Sequence, residues 1–216
     1  MNFRKVFYLV NALVVTLAGQ SCSDADADNT SPGASTATSQ QTSQSNPTDA
    51  QAIISSWPAN PQSTAQKLVQ KYGQPAEATA SMLIWYNTGP FKRTVVFRDE
   101  IPHNFPMPHT DYLQQVIDYR APLGKFSSLA FYDGSVILER TKGEMSARCD
   151  KEEFNLLALN LANDVAAGSR SVSNARAFYA KTVQEVMNGQ SPLYTRELLF
   201  QVQHGGTADP DMAFGD

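Results

Sequence analysis

Apolar residues along this chain recur at two spacings, and each spacing predicts an element. Past Asn60-Pro61, the residues Ala65, Leu68, Val69 and Tyr72 share one helical face, and Gly73 with Pro75 ends the run. Two strand-like runs follow, 81–86 and 93–98, joined by Asn87-Thr88-Gly89-Pro90, which is a hairpin signal. A Pro-rich irregular stretch, 101–108, then leads into an expected short helix from Asp111 to Tyr119. Residues 128–132 and 135–139 flank Asp133-Gly134, a two-residue turn signal that predicts a second hairpin. A helix is expected to begin at Asp150, with Glu153 three residues on as in a capping box. Its Phe154, Leu157, Leu161 and Val165 repeat at helical spacing up to Gly168. A further helix spans about 172–188 and stops at Gly189, and 197–202 reads as a short edge strand. The pattern predicts an α+β fold: an antiparallel sheet of two hairpins packed against helices, with a C-terminal helix pair.

The first 50 residues follow neither period. Met1-Asn2-Phe3-Arg4-Lys5 carries two positive charges, an apolar run occupies 6–18, and small or polar residues precede Cys22. A basic start, a short apolar core and small residues near a cut site are the parts of a secretory signal. The run is shorter than the about 20 residues a membrane-spanning helix needs. From Ser23 to Ala50 the chain is rich in Ser, Thr, Ala, Gln and Asp and has no aromatic or large aliphatic residue. Such a segment buries too little apolar surface to offset its ordering entropy, so a disordered linker is expected. The expected organisation is a signal over 1–21, a linker over 22–50, one α+β domain over 51–202 and a disordered tail over 203–216.

Leu17-Ala18-Gly19-Gln20-Ser21-Cys22 resembles the signal of bacterial lipoproteins, with Gly19 where that family usually has Leu or Val. The resemblance implies export, acylation of Cys22 and tethering to a bacterial membrane, the outer one where the cell has two. Ordinary cleavage, giving a secreted or periplasmic protein with a Cys22–Cys149 disulfide, is the alternative. Within the domain, the helix ending in Gly73-Gln74-Pro75 and the strand carrying Trp85 and Tyr86 resemble the SmpA/BamE-type small outer-membrane lipoproteins over residues 61–99.

Charge changes the picture mainly by exclusion. The chain has 17 basic and 21 acidic residues and a formal charge of -4. No basic run or RNA-binding aromatic motif occurs, so nucleic acid is not an expected partner. The expected partners are the membrane, through the lipid, and another envelope protein or a cell-wall component; no cofactor is expected.

Three groups of residues could carry chemistry. Cys149, between Arg148 and Asp150 and just ahead of a predicted helix start, has the setting that lowers a thiol pKa. It would need a histidine base, and only His103, His109 and His204 exist. His103, His109 and Asp111 lie within nine residues around two prolines and could surround a divalent metal, with Cys149 as a soft fourth ligand. The alternative makes Asp111 a helix cap with Gln114 and leaves the histidines as loop groups. The charged set Asp118, Arg120, Glu139, Arg140, Glu144 and Arg148 reads as a polar-ligand surface or as surface ion pairs. Trp57, Trp85, Tyr86 and Phe91 read as a groove lining or as core. No nucleophile elbow, phosphate loop or His-Glu-x-x-His motif occurs. The leading expectation is a non-enzymatic binding or scaffolding module held at the membrane. The alternative is an envelope hydrolase using Cys149 with His103 or His109, or a metal at His103, His109 and Asp111.

Overall fold

A computed structural model describes residues 50–214, so the signal, Cys22 and the linker up to residue 49 lie outside the described residues. The described residues belong to one compact unit. Its elements, in chain order, are α1 (Ala50–Ile54), α2 (Ala59–Tyr72), β1 (Glu77–Ala78), β2 (Met82–Thr88), β3 (Phe91–His103) and β4 (His109–Asp118). After these come α3 (Phe126–Tyr132), β5 (Val136–Glu139), β6 (Glu144–Cys149), α4 (Glu152–Ala167) and α5 (Val172–Met187). The six strands form one antiparallel sheet in the order β1-β2-β3-β4-β6-β5. The fold is α+β, and the C-terminal helix pair is present. Among the described residues no helix is long and apolar enough to cross a membrane.

Strand alternation and register decide which side chains meet the helices. Leu83 opposes Val96, Trp85 opposes Thr94, and Leu113 opposes Cys149, so these share one face of the sheet. α2 closes that face over Leu83, Trp85, Val96 and Leu113, with Ala65 and Leu68 buried against them. α4 closes it over Met145, Ala147 and Cys149, with Phe154, Leu157 and Leu161 buried. Between the two apolar clusters lies a buried polar seam. There Gln115 Nε2 donates to Glu152 Oε1 at 2.7 Å, and Tyr72 donates to the same oxygen at 2.8 Å. Asn155 Nδ2 donates there to Leu113 O and Gln115 Oε1, while its own Oδ1 is buried without a hydrogen-bond partner; leaving such a group unpaired costs about 1–3 kcal/mol.

Several elements differ from the expected ones. The segment expected as a helix from Asp111 to Tyr119 is strand β4, lying between β3 and β6. Its Tyr112, Leu113, Val116 and Ile117 fit helical spacing, yet they equally fit a strand buried along most of its length. Central pairing on both edges settles it as β. The expected strand 128–132 is helix α3, whose Leu129 and Tyr132 are fully buried while Phe131 is exposed. Asp133-Gly134 therefore joins a helix to β5, and β5 makes its hairpin with β6 instead. The capping box expected at Asp150 does not form; Lys151 precedes α4 and no side chain caps it. No strand forms at 197–202, because Asn160 of α4 takes that segment's backbone groups. Its Nδ2 donates to Glu197 O at 2.8 Å and its Oδ1 accepts from Leu199 N at 2.7 Å.

The tail also packs, against the expectation that it frays. Thr207 is buried, and Arg140 Nε donates to Asp209 Oδ2 at 2.9 Å. Gly143, at φ 65, lets the tail pass so close that a Cβ there would sit 2.2 Å from the Thr207 carbonyl carbon.

Candidate metal centre

The β3–β4 hairpin puts His103 directly opposite His109. His109 and Asp111 are two residues apart on one strand, so ring and carboxylate point to the same side. Two residues further along that strand, Leu113 pairs with Cys149 at the end of β6. Strand geometry alone therefore gathers His103, His109, Asp111 and Cys149 at one end of the helix-facing side. Ser135 and Asp133, from the turn before β5, close the cluster from the far side; Ser135 N donates to Asp133 Oδ1 at 2.8 Å.

The distances inside the cluster are informative. His109 Nε2 lies 3.2 Å from Asp111 Oδ1, His103 Nδ1 lies 3.3 Å from Asp111 Oδ2, and Cys149 Sγ lies 3.5 Å from His109 Nε2. A charge-assisted N–H···O bond is shorter, about 2.7–2.9 Å. Ligand atoms at the corners of a tetrahedron around zinc, with Zn–N near 2.0–2.1 Å, stand about 3.3 Å apart. The two His–Asp111 spacings are near that edge length, each on a different carboxylate oxygen, so the three groups stand close enough to share an ion. His103, His109 and Asp111 each offer a ligand atom, and all three atoms lie within 4.8 Å of one another.

His109 and Asp111 each also have an outer partner that fixes orientation. His109 Nδ1 donates to Met107 O at 2.9 Å, which leaves the Nε2 lone pair aimed into the cluster. His103 Nε2 lies 3.7 Å from Asp133 Oδ1, beyond hydrogen-bond reach, and its Nδ1 faces Asp111 Oδ2 at 3.3 Å and Ser135 Oγ at 3.5 Å. Ser135 Oγ donates to Asp111 Oδ2, while Asp111 Oδ1 is buried without a hydrogen-bond partner. Metal-binding histidines characteristically donate their second N–H to a carbonyl or carboxylate in this way. A buried carboxylate oxygen with no donor is costly unless a cation satisfies it.

The protonation balance gives any ion a competitor, the proton on His109. The Asp111 contact raises the His109 pKa, against the opposing effect of burial, and the Met107 carbonyl adds to the rise. Burial pushes the Asp111 carboxyl up, but its contacts with His109 and Ser135 outweigh this and hold it below the usual range. An ionised carboxylate facing two imidazoles gains from positive charge, whether it comes as a proton on His109 or as a metal ion.

Cys149 does not have the environment expected of it. Burial pushes its thiol well up, and the Asp150 charge adds to the effect. α4 starts at Glu152, three residues on, and strand alternation sends Arg148 to the opposite face, where its neighbour across the ladder is Gln114. Nor does His109 follow the pattern of a thiol hydrolase. Its far nitrogen is held by a backbone carbonyl, and Asp111 shares the near nitrogen's side with the thiol. His204 lines a different cavity and takes no part.

His109 and Cys149 also line the floor of a cavity of ≈ 160 Å³, walled by Phe154, Tyr179 and Val183. The charged set resolves mainly into ion pairs: Lys92 with Asp118 at 2.8 Å, Arg93 with Glu144 at 2.7 Å and Lys142 with Glu139 at 3.0 Å. Trp57, Trp85 and Phe91 are core, and only Tyr86 is exposed. Sequence reasoning named His103, His109, Asp111 and Cys149 but missed Ser135 and Asp133. The only signal for those two was the Asp-x-Ser turn, which periodicity assigned to a hairpin. No protein-family model, curated protein or solved structure matches the chain.

Proposed function

We propose that this protein is an exported, lipid-tethered module of the bacterial envelope whose domain binds a divalent transition-metal ion through His103, His109 and Asp111. One observation carries the metal reading. Three ligand atoms lie within 4.8 Å of one another, and the carboxylate among them keeps one buried oxygen whose near neighbour is the His109 Nε2 at 3.2 Å, with no well-formed hydrogen bond to it. Two imidazoles and a carboxylate suit a borderline ion such as Zn²⁺ better than Ca²⁺ or Mg²⁺, which prefer all-oxygen shells. Cys149 Sγ lies 3.5 Å from His109 Nε2, beside this set rather than within it. The binding-module expectation thus acquires a ligand. The tether rests on the basic start, the apolar run and Cys22.

Titration of the chelator-stripped protein with Co²⁺ tests the metal reading through the visible ligand-field bands of the ion. One equivalent should bind with the intensity of a tetrahedral site, and the double variant His109→Ala/Asp111→Asn should bind none while its circular dichroism stays native. Absence of Co²⁺ or Zn²⁺ uptake by the folded wild type would end the proposal.

A further inference from the structure

We infer that the cavity above this cluster is a second, softer metal site, in which the sulfurs of Cys149, Met107 and Met187 take a thiophilic monovalent ion of the Cu⁺ class. Of the five methionines among the described residues, two line this one small cavity together with Cys149, the one cysteine described. Met107 lies in the Pro-rich connection between β3 and β4, and Met187 is the last residue of α5. They are 42% and 63% exposed, so neither thioether is committed to the core. Methionine and cysteine sulfurs select Cu⁺ over hard divalent ions.

Volume and charge narrow the occupant. At ≈ 160 Å³ the cavity is smaller than the ~300 Å³ at which pockets for drug-sized organic ligands begin, yet ample for an ion with its sulfur shell. Phe154, Val183 and Pro106 supply apolar wall, and Asp150 and Lys151, an opposite-charge pair 4.0 Å apart, complete the lining. An ion of single charge suits them: Cys–SH + Cu⁺ → Cys–S–Cu + H⁺ replaces one proton by one cation and leaves the site neutral. A divalent ion would add one further positive charge to a lining whose own pair, Asp150 and Lys151, already balances. The site adjoins the His103–His109–Asp111 cluster, since Cys149 Sγ lies 3.5 Å from His109 Nε2, but its thioethers belong to it alone.

Ag⁺, which has the ligand preference of Cu⁺ without its redox chemistry, is the probe, added to the full chain in competition with a thioether chelator. The wild type should retain one equivalent, and Cys149→Ser should retain none. The double variant Met107→Leu/Met187→Leu keeps the apolar wall and should bind Ag⁺ about tenfold or more weakly, with Co²⁺ uptake unchanged. Equal Ag⁺ affinity in the leucine variant, or no retention by wild type, would overturn the inference. Loss of Co²⁺ uptake in the wild type would instead strike the divalent site alone, so the two readings fail separately.

Discussion

Ser135 has one evident task, and it can be measured. Its hydroxyl donates to Asp111 Oδ2 and so turns the other carboxylate oxygen toward His109. It touches no solvent-exposed ligand surface and offers nothing to an ion that Asp111 does not already offer, so it is a positioning residue. Partners of this kind typically change metal affinity by about 10–100-fold when removed. Ser135→Ala is therefore expected to weaken Zn²⁺ binding by that order in calorimetric titration. Loss of one neutral-to-charged hydrogen bond should lower stability by no more than about 1–3 kcal/mol. Ser135→Thr, which keeps the hydroxyl, should recover most of the affinity. An alanine variant that binds as tightly as wild type would mean that Asp111 is held by its histidines alone.

The cross-strand ion pairs on the other side of the sheet bind elements together. Glu144 on β6 is buried and accepts from both Nη atoms of Arg93 on β3, at 3.2 and 2.7 Å, while Lys92 approaches at 3.0 Å. Burial raises the Glu144 carboxyl, but Arg93 and Lys92 outweigh it and leave its pKa below the usual 4.5. A depressed carboxylate stabilises the fold fully above its unfolded pKa, and that contribution is lost as pH falls through the lower, folded value. Below about pH 4.5 the wild type should lose stability as this group takes up its proton. Glu144→Gln should be less stable at pH 7 by roughly 1–3 kcal/mol and show a flatter decline in acid, read from denaturant midpoints between pH 3 and 7. A parallel decline in both proteins would remove Glu144 from the acid response. The same sheet shows which elements are legible in the chain. The helices α2, α4 and α5 were, because apolar spacing and terminal glycines agree on each of them. The strand β4 was not: its pattern suits both periods, and only pairing with β3 and β6 decides. That one misreading hid the site's logic, since His109 and Asp111 share a face at strand spacing but would not at helical spacing. The residues of the centre were legible as chemistry, while their convergence with Ser135 and Asp133 depends on long-range register that no local pattern carries.

For the whole molecule, the proposed tether and the proposed metal sites constrain each other through sulfur. The chain has two cysteines. In an oxidising compartment two free thiols in one secreted chain would be expected to pair. If Cys22 carries a lipid, Cys149 has no disulfide partner, and it is then available as a ligand. Burial of Cys149 at 4% exposure, with a thiol pKa pushed up by that burial, protects it from reagents that attack thiolates. Both conditions are read together by the intact mass of the mature protein extracted from its native membrane, before and after native alkylation. The expected species lacks residues 1–21, carries a diacylglyceryl group on Cys22 and takes up no alkyl group until it is denatured. Two acyl chains suffice for stable attachment, where one gives only reversible binding. A mass two protons below that of the unlipidated chain would instead mean a Cys22–Cys149 disulfide. That result would remove the tether and the soft site at once, because both need a sulfur that the disulfide consumes. The His103–His109–Asp111 set would survive it, since none of its ligand atoms is sulfur.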